Sequence, residues 1–473
     1  MNKSSLIILT AVFALTGITF DSKAQTARIL VDEVKDSIVT RYNRNDFRGI
    51  YKLADTSFSH HISEQKLVTF LSNNRNSGNI IKDTLLSAVN GKYVYLLECQ
   101  SRDLKLTLQV TPEKKFTDFG FSTVVQHLLE QPKQVRSSNP LRTPLDRAVD
   151  SVARAYFRNP NSTALSIGII RNGKRYIYHY GEIKKGTDVL PTDATVYEIG
   201  SITKTFTATL LAHAVIAHKV AMDDDIRKYL PGDYPNLSFN GSPVTFRDLA
   251  NHTSGLPEMP EDIGSQPGYD PLMPELNYDA GHFYAALHRV KLDTVPGFKF
   301  RYSNWGYALL GHLLEKVYGQ PYAVLLKKYI TVPFGMKDTW YTLTPALKQK
   351  MAVPYSDNGR SNIYEQEGMF GPAGYIHSSI ADLLTYLSQQ ISETDAAVKL
   401  THQPTANNLG LAWGVAPRKG YRDIQHNGST MGFNSHLSGF PELNSGCVIL
   451  VNNRVNMGKL IAGIQEIARR KDF

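Results

Sequence analysis

Cysteine is almost absent: Cys99 and Cys447 are the only two in 473 residues. That is too few for the disulfide framework that small exported folds depend on, and the two are expected to be free and partly buried, in different domains. Charge of one sign is not concentrated either. The 52 Lys and Arg face 43 Asp and Glu, a formal +9 scattered without a basic arm or patch, which excludes a nucleic-acid binder and suits anionic surroundings. Beyond the N-terminal stretch no run approaches the roughly 20 apolar residues of a membrane-spanning helix. Also missing are a Gly-x-Ser-x-Gly elbow, a His-Glu-x-x-His zinc site, a phosphate-binding glycine loop, internal repeats and low-complexity tracts.

What remains is a globular composition, 42% hydrophobic and 20% charged, on a chain long enough for two domains. Residues 1–24 read as a secretory signal: Lys3, an apolar run from Leu6 to Phe20, and Ser22-Lys23-Ala24 as the cleavage site. The mature chain is then expected to begin at Gln25, exported to a periplasmic or secreted location. The competing reading is an uncleaved anchor. No cysteine follows the cleavage site to carry a lipid. Losing Lys3, Asp21 and Lys23 lowers the formal charge by one.

Residues 25–129 read as a small α+β domain. Helical spacing runs from Ala27 to about Phe70, and Leu104, Leu106, Leu108 and Val110 alternate with polar residues as in a half-buried antiparallel strand beside Tyr93–Cys99 and Phe116–Phe121. In element order alone this resembles the nuclear-transport-factor-like (cystatin-like) cone domains that precede some exported hydrolases, and its residues form no catalytic constellation. Its His60-His61 pair lacks further ligands and reads as surface loop. Residues 130–143, with Pro132 and Pro140 and no periodicity, read as a linker. From 144 a second domain opens with a helix near Leu145–Phe157 and a hairpin of Ala164–Arg171 and Arg175–Tyr180 joined by Asn172-Gly173. It closes with a strand near Gly446–Asn452 and a helix near Leu460–Arg470.

The chemistry lies in that second domain. Ser201-Ile202-Thr203-Lys204 puts an amine one helical turn from a hydroxyl, and a serine becomes a nucleophile only when a base takes its proton. The serine is expected in the first turn of a buried helix, where free amides stabilise negative charge. Lysine can act there only as the free amine, a form that burial and a neighbouring cation favour. Tyr302-Ser303-Asn304 and His426-Asn427-Gly428 complete the set. Ser63-Glu-Gln-Lys66 and Tyr234-Pro-Asn236 repeat the spacings as decoys. Ser379 with Asp382 reads as a helix capping box, Asp223–Asp225 as a solvated helix start, and His252 as structural.

With Tyr197-Glu-Ile-Gly-Ser-Ile-Thr-Lys-Thr-Phe206, Leu249-Ala-Asn-His-Thr-Ser-Gly-Leu-Pro257, Pro296–Tyr307, Gly371-Pro-Ala-Gly374 and His426–Phe433 in order, the second domain resembles the serine β-lactamase and penicillin-binding-protein family, nearest its class C branch with D-peptidases and esterases. The resemblance implies an antiparallel sheet flanked by helices beside a helical lobe, α+β overall. It also implies Ser201 as the nucleophile of an acyl-enzyme, Lys204 as its proton partner and Tyr302 as general base and acid. Asn304 would bind the substrate amide, His426 and Gly428 would edge the cleft, and the amides of Ser201 and Ser429 would form an oxyanion hole. No cofactor and no metal is implied. His426 stands where class C enzymes carry lysine, and a mostly neutral imidazole speaks against efficient β-lactam hydrolysis. The substrate is expected to be a small molecule or peptide, with cell-wall peptides the leading class. A carboxylesterase is the alternative, and a non-catalytic sensor module the second. Specificity is expected from loops Glu258–Asp279 and Lys337–Met369.

Overall fold

The computed structural model describes residues 22–124, 126–365, 368–405 and 408–470. The signal read over 1–24 lies outside the described residues, except that 22–24 open the helix Ser22–Asn43. Among the described residues no helix is long and apolar enough to cross a membrane. The chain divides into two compact units. One takes the residues up to Asn74 with Lys82–Leu97 and Leu104–Ser122, and the other takes Arg75–Ile81, Glu98–Asp103 and the chain from Thr123.

In the smaller unit the helical spacing resolves into four helices, because Asp46, Asp55 and Ser63 interrupt it as caps whose side chains accept from Gly49, Ser57 and Lys66 amides. Ser63 of the decoy motif is therefore a helix cap. His60 and His61 are exposed, as expected, but end the helix Thr56–His61 and are not in a loop. The strands β1 (Ile80–Val89), β2 (Lys92–Cys99), β3 (Leu104–Val110) and β4 (Phe116–Thr123) follow in sequential order. β2 and β3 are antiparallel, with Tyr95 opposite Leu106. Tyr95 Oη donates to Asp32 of the long helix at 2.8 Å. β1 escaped the sequence reading because its solvent-facing residues do not alternate in polarity.

The larger unit is built on a six-stranded antiparallel sheet from the two ends of its chain. β5 (Ala164–Arg171) and β6 (Lys174–Gly181) join β11 (Gly414–Arg418), β12 (Tyr421–Ser429), β13 (Asn434–Phe440) and β14 (Ser445–Val451) in the order 11-12-13-14-5-6. Shorter pieces are β7 (Val196–Glu198) paired with β10 (His377–Ser379), and the two-residue pair β8 (Ser238–Phe239) and β9 (Ser242–Pro243). Asn172 and Gly173 both take positive φ, 49° and 76°, as the tight β5–β6 hairpin requires. Residues 130–143 run beside β6, where Ser138 N donates to His179 O at 3.0 Å and Gly181 N to Arg136 O at 2.9 Å. This covers an edge that would otherwise be open to pairing.

Every residue of β5 and β14 is buried, because helices cover both faces. Ile167, Ile169, Cys447 and Ile449 pack with the helices Pro144–Tyr156 and Gly458–Arg469, while Val448 and Leu450 point into the helical lobe. Both cysteines are fully buried, not partly buried, since each fills a core position of its strand, and Cys99, expected in a different domain from Cys447, falls with it in the larger unit. In the helical lobe Asn236 of the second decoy anchors a loop, donating to Leu287 and Val290 carbonyls. Asp223 pairs with Arg247, and Asp225 caps a 3-10 turn, Ile226–Tyr229, so this run starts a shorter element than the helix expected. Ser379 caps the helix Ile380–Ser392, while the Asp382 carboxylate turns outward to take Lys337 and Asp338 amides.

The helix Thr203–Ile216 is tied to this frame by Phe206, whose ring stacks on Tyr386 at 4.0 Å between centroids. Removing that ring leaves a large cavity, so Phe206→Ala is expected to cost about 3–5 kcal/mol. The check is urea unfolding followed by tryptophan fluorescence, since Trp305, Trp340 and Trp413 all lie in this unit.

Candidate active site

Ser201 stands in a 3-10 turn, Gly200–Ile202, directly ahead of the helix Thr203–Ile216 and not within its first turn as expected. Gly200 takes a φ of 51°, outside the right-handed helical region, so regular α-helix starts only after the serine. Two close approaches then bring β12 to this turn. A Cβ on Gly200 would lie 2.6 Å from Ser429 N, and one on Gly428 would lie 1.9 Å from Ile199 O. Ser435 Oγ, opposite Gly428 on β13, donates to the same Ile199 carbonyl at 2.8 Å. Only glycine at 200 and 428 lets the Ser429 amide come up beside Ser201.

Lys204 is fully buried, and its ammonium donates to Ser201 Oγ at 3.0 Å, Asn304 Oδ1 at 2.7 Å and Ala373 O at 2.7 Å. Tyr302 Oη lies 2.7 Å from Ser201 Oγ, and the Lys204 ammonium sits 4.9 Å from the Tyr302 ring centre. The serine oxygen is therefore bracketed by two proton-carrying groups, the geometry in which its proton can leave and return without solvent. With its carbonyl oxygen engaged by Lys204, Asn304 keeps its amide protons for a ligand.

His252, read from sequence as structural, has a more specific place. Its Nδ1 accepts from Ser303 N at 3.0 Å, and its ring packs 4.4 Å from Tyr302 and 4.9 Å from Tyr307. Burial, with the Lys204 charge nearby, holds it neutral well below the usual histidine range. His426 is likewise pushed down to about 4, first by burial and then by Lys204. Its Nδ1 contacts Asn427 O. Just before the nucleophile, Glu198 is 2% exposed, accepts from Glu365 N at 2.7 Å, and is pushed up to about 7 by burial.

These groups open on a cleft of about 860 Å³ that brings Ser201, Tyr302, Asn304, Gly428 and Ser429 together. Lys204 and His426 lie outside its lining, the lysine behind the serine. Sequence reasoning missed Arg454, Asn434 and Asn456, which also line the cleft. Asn434 faces Ser429 across the β12–β13 pair. The only signal for Arg454 and Asn456 was their position just after the last strand. Glu258 also lines the cleft, at the start of a loop read as a specificity element.

A buried lysine in Ser-x-x-Lys with a tyrosine on the serine oxygen, beside strand β12 of an antiparallel sheet, defines a serine hydrolase of the β-lactamase type. The chain belongs to the beta-lactamase family, whose model matches residues 149–469. It is 29% identical over 343 residues to the D-alanyl-D-alanine-carboxypeptidase/endopeptidase AmpH of Escherichia coli K12, covering 67% of this chain and 87% of that protein. A beta-lactamase/D-alanine carboxypeptidase from Yersinia pestis, solved with citrate, superposes with a TM-score of 0.59 at 26% identity over 69% of this chain and 97% of that one. The Pseudomonas syringae beta-lactamase/D-alanine carboxypeptidase, at 21% identity and a TM-score of 0.62 over 70% and 100% of the two chains, shows the fold alone.

Gly428→Ala is expected to force β12 off the nucleophile turn, costing about 1–3 kcal/mol as overpacking does and removing Ser201 reactivity. Thermal unfolding with active-site labelling reads both. The His426 shift sets a sign for acid stability. Its folded value, about 4, lies below the ordinary 6.5. Between them the unfolded chain binds a proton that the folded one refuses, so this group's contribution is present above pH 6.5 and lost as pH falls toward 4. His426→Gln is expected to flatten that part of the stability profile, measured as the urea midpoint from pH 7 to 4.5.

Proposed function

We propose that the protein is an exported D-amino-acid peptidase that works through an acyl-enzyme on Ser201. The observation that carries this is the bracketing of Ser201 Oγ by Lys204 Nζ at 3.0 Å and Tyr302 Oη at 2.7 Å. With the Lys204–Tyr302 pair holding one proton fewer than an ammonium plus a phenol, Ser201 Oγ attacks the scissile carbonyl while its proton fills that vacancy, and the amides of Ser201 and Ser429 hold the oxyanion. Collapse breaks the C–N bond, and Tyr302 protonates the departing amine. Water then attacks the Ser201 ester, giving a proton to Tyr302. A second collapse returns a proton to Ser201 Oγ and releases the acid. Asn304 holds the substrate amide, while His426 and Gly428 lie on β12, the strand whose Gly428 lines the cleft. The D-peptide class is supported by the likeness to AmpH and by the seven candidate residues all lying in 144–473. We assign residues 25–129 to a small domain, with 130–143 as its connection; its stretches Arg75–Ile81, Glu98–Asp103 and 123–129 belong to the larger unit, and Arg102 among them lines the cleft.

A peptide carboxylate needs a cation, and a neutral His426 does not supply one. Arg102 and Arg454 are the cleft-lining cations among the described residues. Arg102 is occupied by Asp357 at 2.6 Å. Arg454 donates to Thr430 O at 3.0 Å, one residue past Ser429, and forms no ion pair, so it is the candidate for that carboxylate. The neutral His426 also favours the second reading, a carboxylesterase.

Benzylpenicillin is expected to leave an adduct on the Ser201 peptide by mass spectrometry, and Ser201→Ala to abolish it. Tyr302→Phe should slow D-alanyl-D-alanine cleavage by about 10²–10⁴-fold. Arg454→Met should raise KM about 30-fold with a smaller change in kcat, the loss of one charged hydrogen bond. Cleavage of nitrophenyl acetate with no adduct and no action on any D-peptide would replace the peptidase with the esterase. An inert Ser201 toward all three would leave the non-catalytic reading.

A further inference from the structure

The reaction leaves one charged group of the cleft unused. Glu258 is exposed and lines the cleft with Ser201, Tyr302 and Asn304, and it forms no ion pair among the described residues. An exposed carboxylate is ordinarily just solvated. This one is held in place by its backbone. Glu258 O accepts from Trp305 N at 3.0 Å, Pro257 O from Ser303 Oγ at 2.7 Å, and Gly255 O from Arg301 Nη1 at 3.2 Å. His252 Nδ1 accepts from Ser303 N at 3.0 Å. Residues 252–258 are thus bonded stepwise along 301–305, the segment that carries Tyr302 and Asn304, so the carboxylate shares a wall with the side chain assigned to the substrate amide and lies across the cleft from Arg454, the residue assigned to the substrate carboxylate.

Among the described residues no ion pair answers its charge. Lys204 directs its three protons to Ser201, Asn304 and Ala373. The neighbouring acid, Glu275, is pushed up by burial and adds no cation. On the sheet wall the free cation is Arg454, bonded to Thr430 beside Ser429. One wall therefore offers an unpaired carboxylate and the other an unpaired guanidinium, with the nucleophile in the same cleft.

We propose that Glu258 is a specificity residue that receives an ammonium group on the acyl side of the scissile amide, so that preferred substrates are zwitterionic peptides with a free amine on that side and a free carboxylate on the other. This rests on the peptidase reading. The ammonium can come from an α-amino terminus or from the side chain of a diamino acid, and both present the same –NH3⁺ to the carboxylate.

The test compares four peptides with the full-length protein: D-alanyl-D-alanyl-D-alanine with its amine free and N-acetylated, and Nα-acetyl-lysyl-D-alanyl-D-alanine with its ε-amine free and acetylated. In at least one pair the free amine is expected to raise kcat/KM about tenfold, the value of one charged contact, and the pair that responds identifies the source. Glu258→Gln should bring that ratio to about one. Glu258→Lys should bring it below one, since the introduced ammonium repels the free amine. Equal rates within both pairs, or a ratio that survives Glu258→Gln, would overturn this inference and leave the peptidase standing. Penicillin labelling of Ser201 with no cleavage of any of the four would overturn both.

Discussion

A buried ammonium holds this active site together. Removing a lysine from water is costly unless every proton finds an acceptor, and Lys204 finds its three on three separate pieces of chain. These are its own turn at Ser201, the start of the helix Asn304–Tyr318, and the carbonyl of Ala373 in the short helix Gly371–Gly374. Loss of any one would strand a charge in the core. The same contacts that satisfy the lysine therefore fix Ser201, orient Asn304 and pull the Gly371-Pro-Ala-Gly374 segment against the helix Thr203–Ile216. The Gly311 backbone permits this last approach, since a Cβ there would meet Pro372 at 2.2 Å.

Around that centre the two walls are set by different means. The sheet wall depends on backbone against backbone, with glycines at 200 and 428 where any side chain would collide. The helical wall depends on side chains reading backbone: His252, Ser303 and Arg301 stitch two loops together, and neutral His252 backs the Tyr302 ring. Rigid walls suit a reaction in which the oxyanion donors must be in place before the charge forms. The charges left free in the cleft, Glu258 and Arg454, are then available to the substrate.

Much of this was legible in the residues. Ser201, Lys204 and Tyr302 could be read because their chemistry demands those side chains in that order, and the β5–β6 hairpin because Asn172-Gly173 has few other uses. The decoys at Ser63 and Tyr234 show the limit of spacing alone, since one is a helix cap and the other begins a structural anchor. Arg454 was not legible. Its role depends on Asp357 having taken Arg102 and on the Thr430 carbonyl lying close by, facts of space across hundreds of residues. β1 was missed because strand pairing can proceed where polarity does not alternate.

The sequence by itself determined the candidate site residues, the family, the alternation that makes β3 and the apolar run that makes the closing strand β14, because these follow from side-chain type and local period. Tertiary structure alone decided that Ser63 of the second Ser-x-x-Lys caps a helix, that Ser201 precedes its helix, and which charges pair among the described residues. The reason is physical: burial, proton sharing and ion pairing depend on distances between residues far apart in the chain, and those distances exist only once the core has closed.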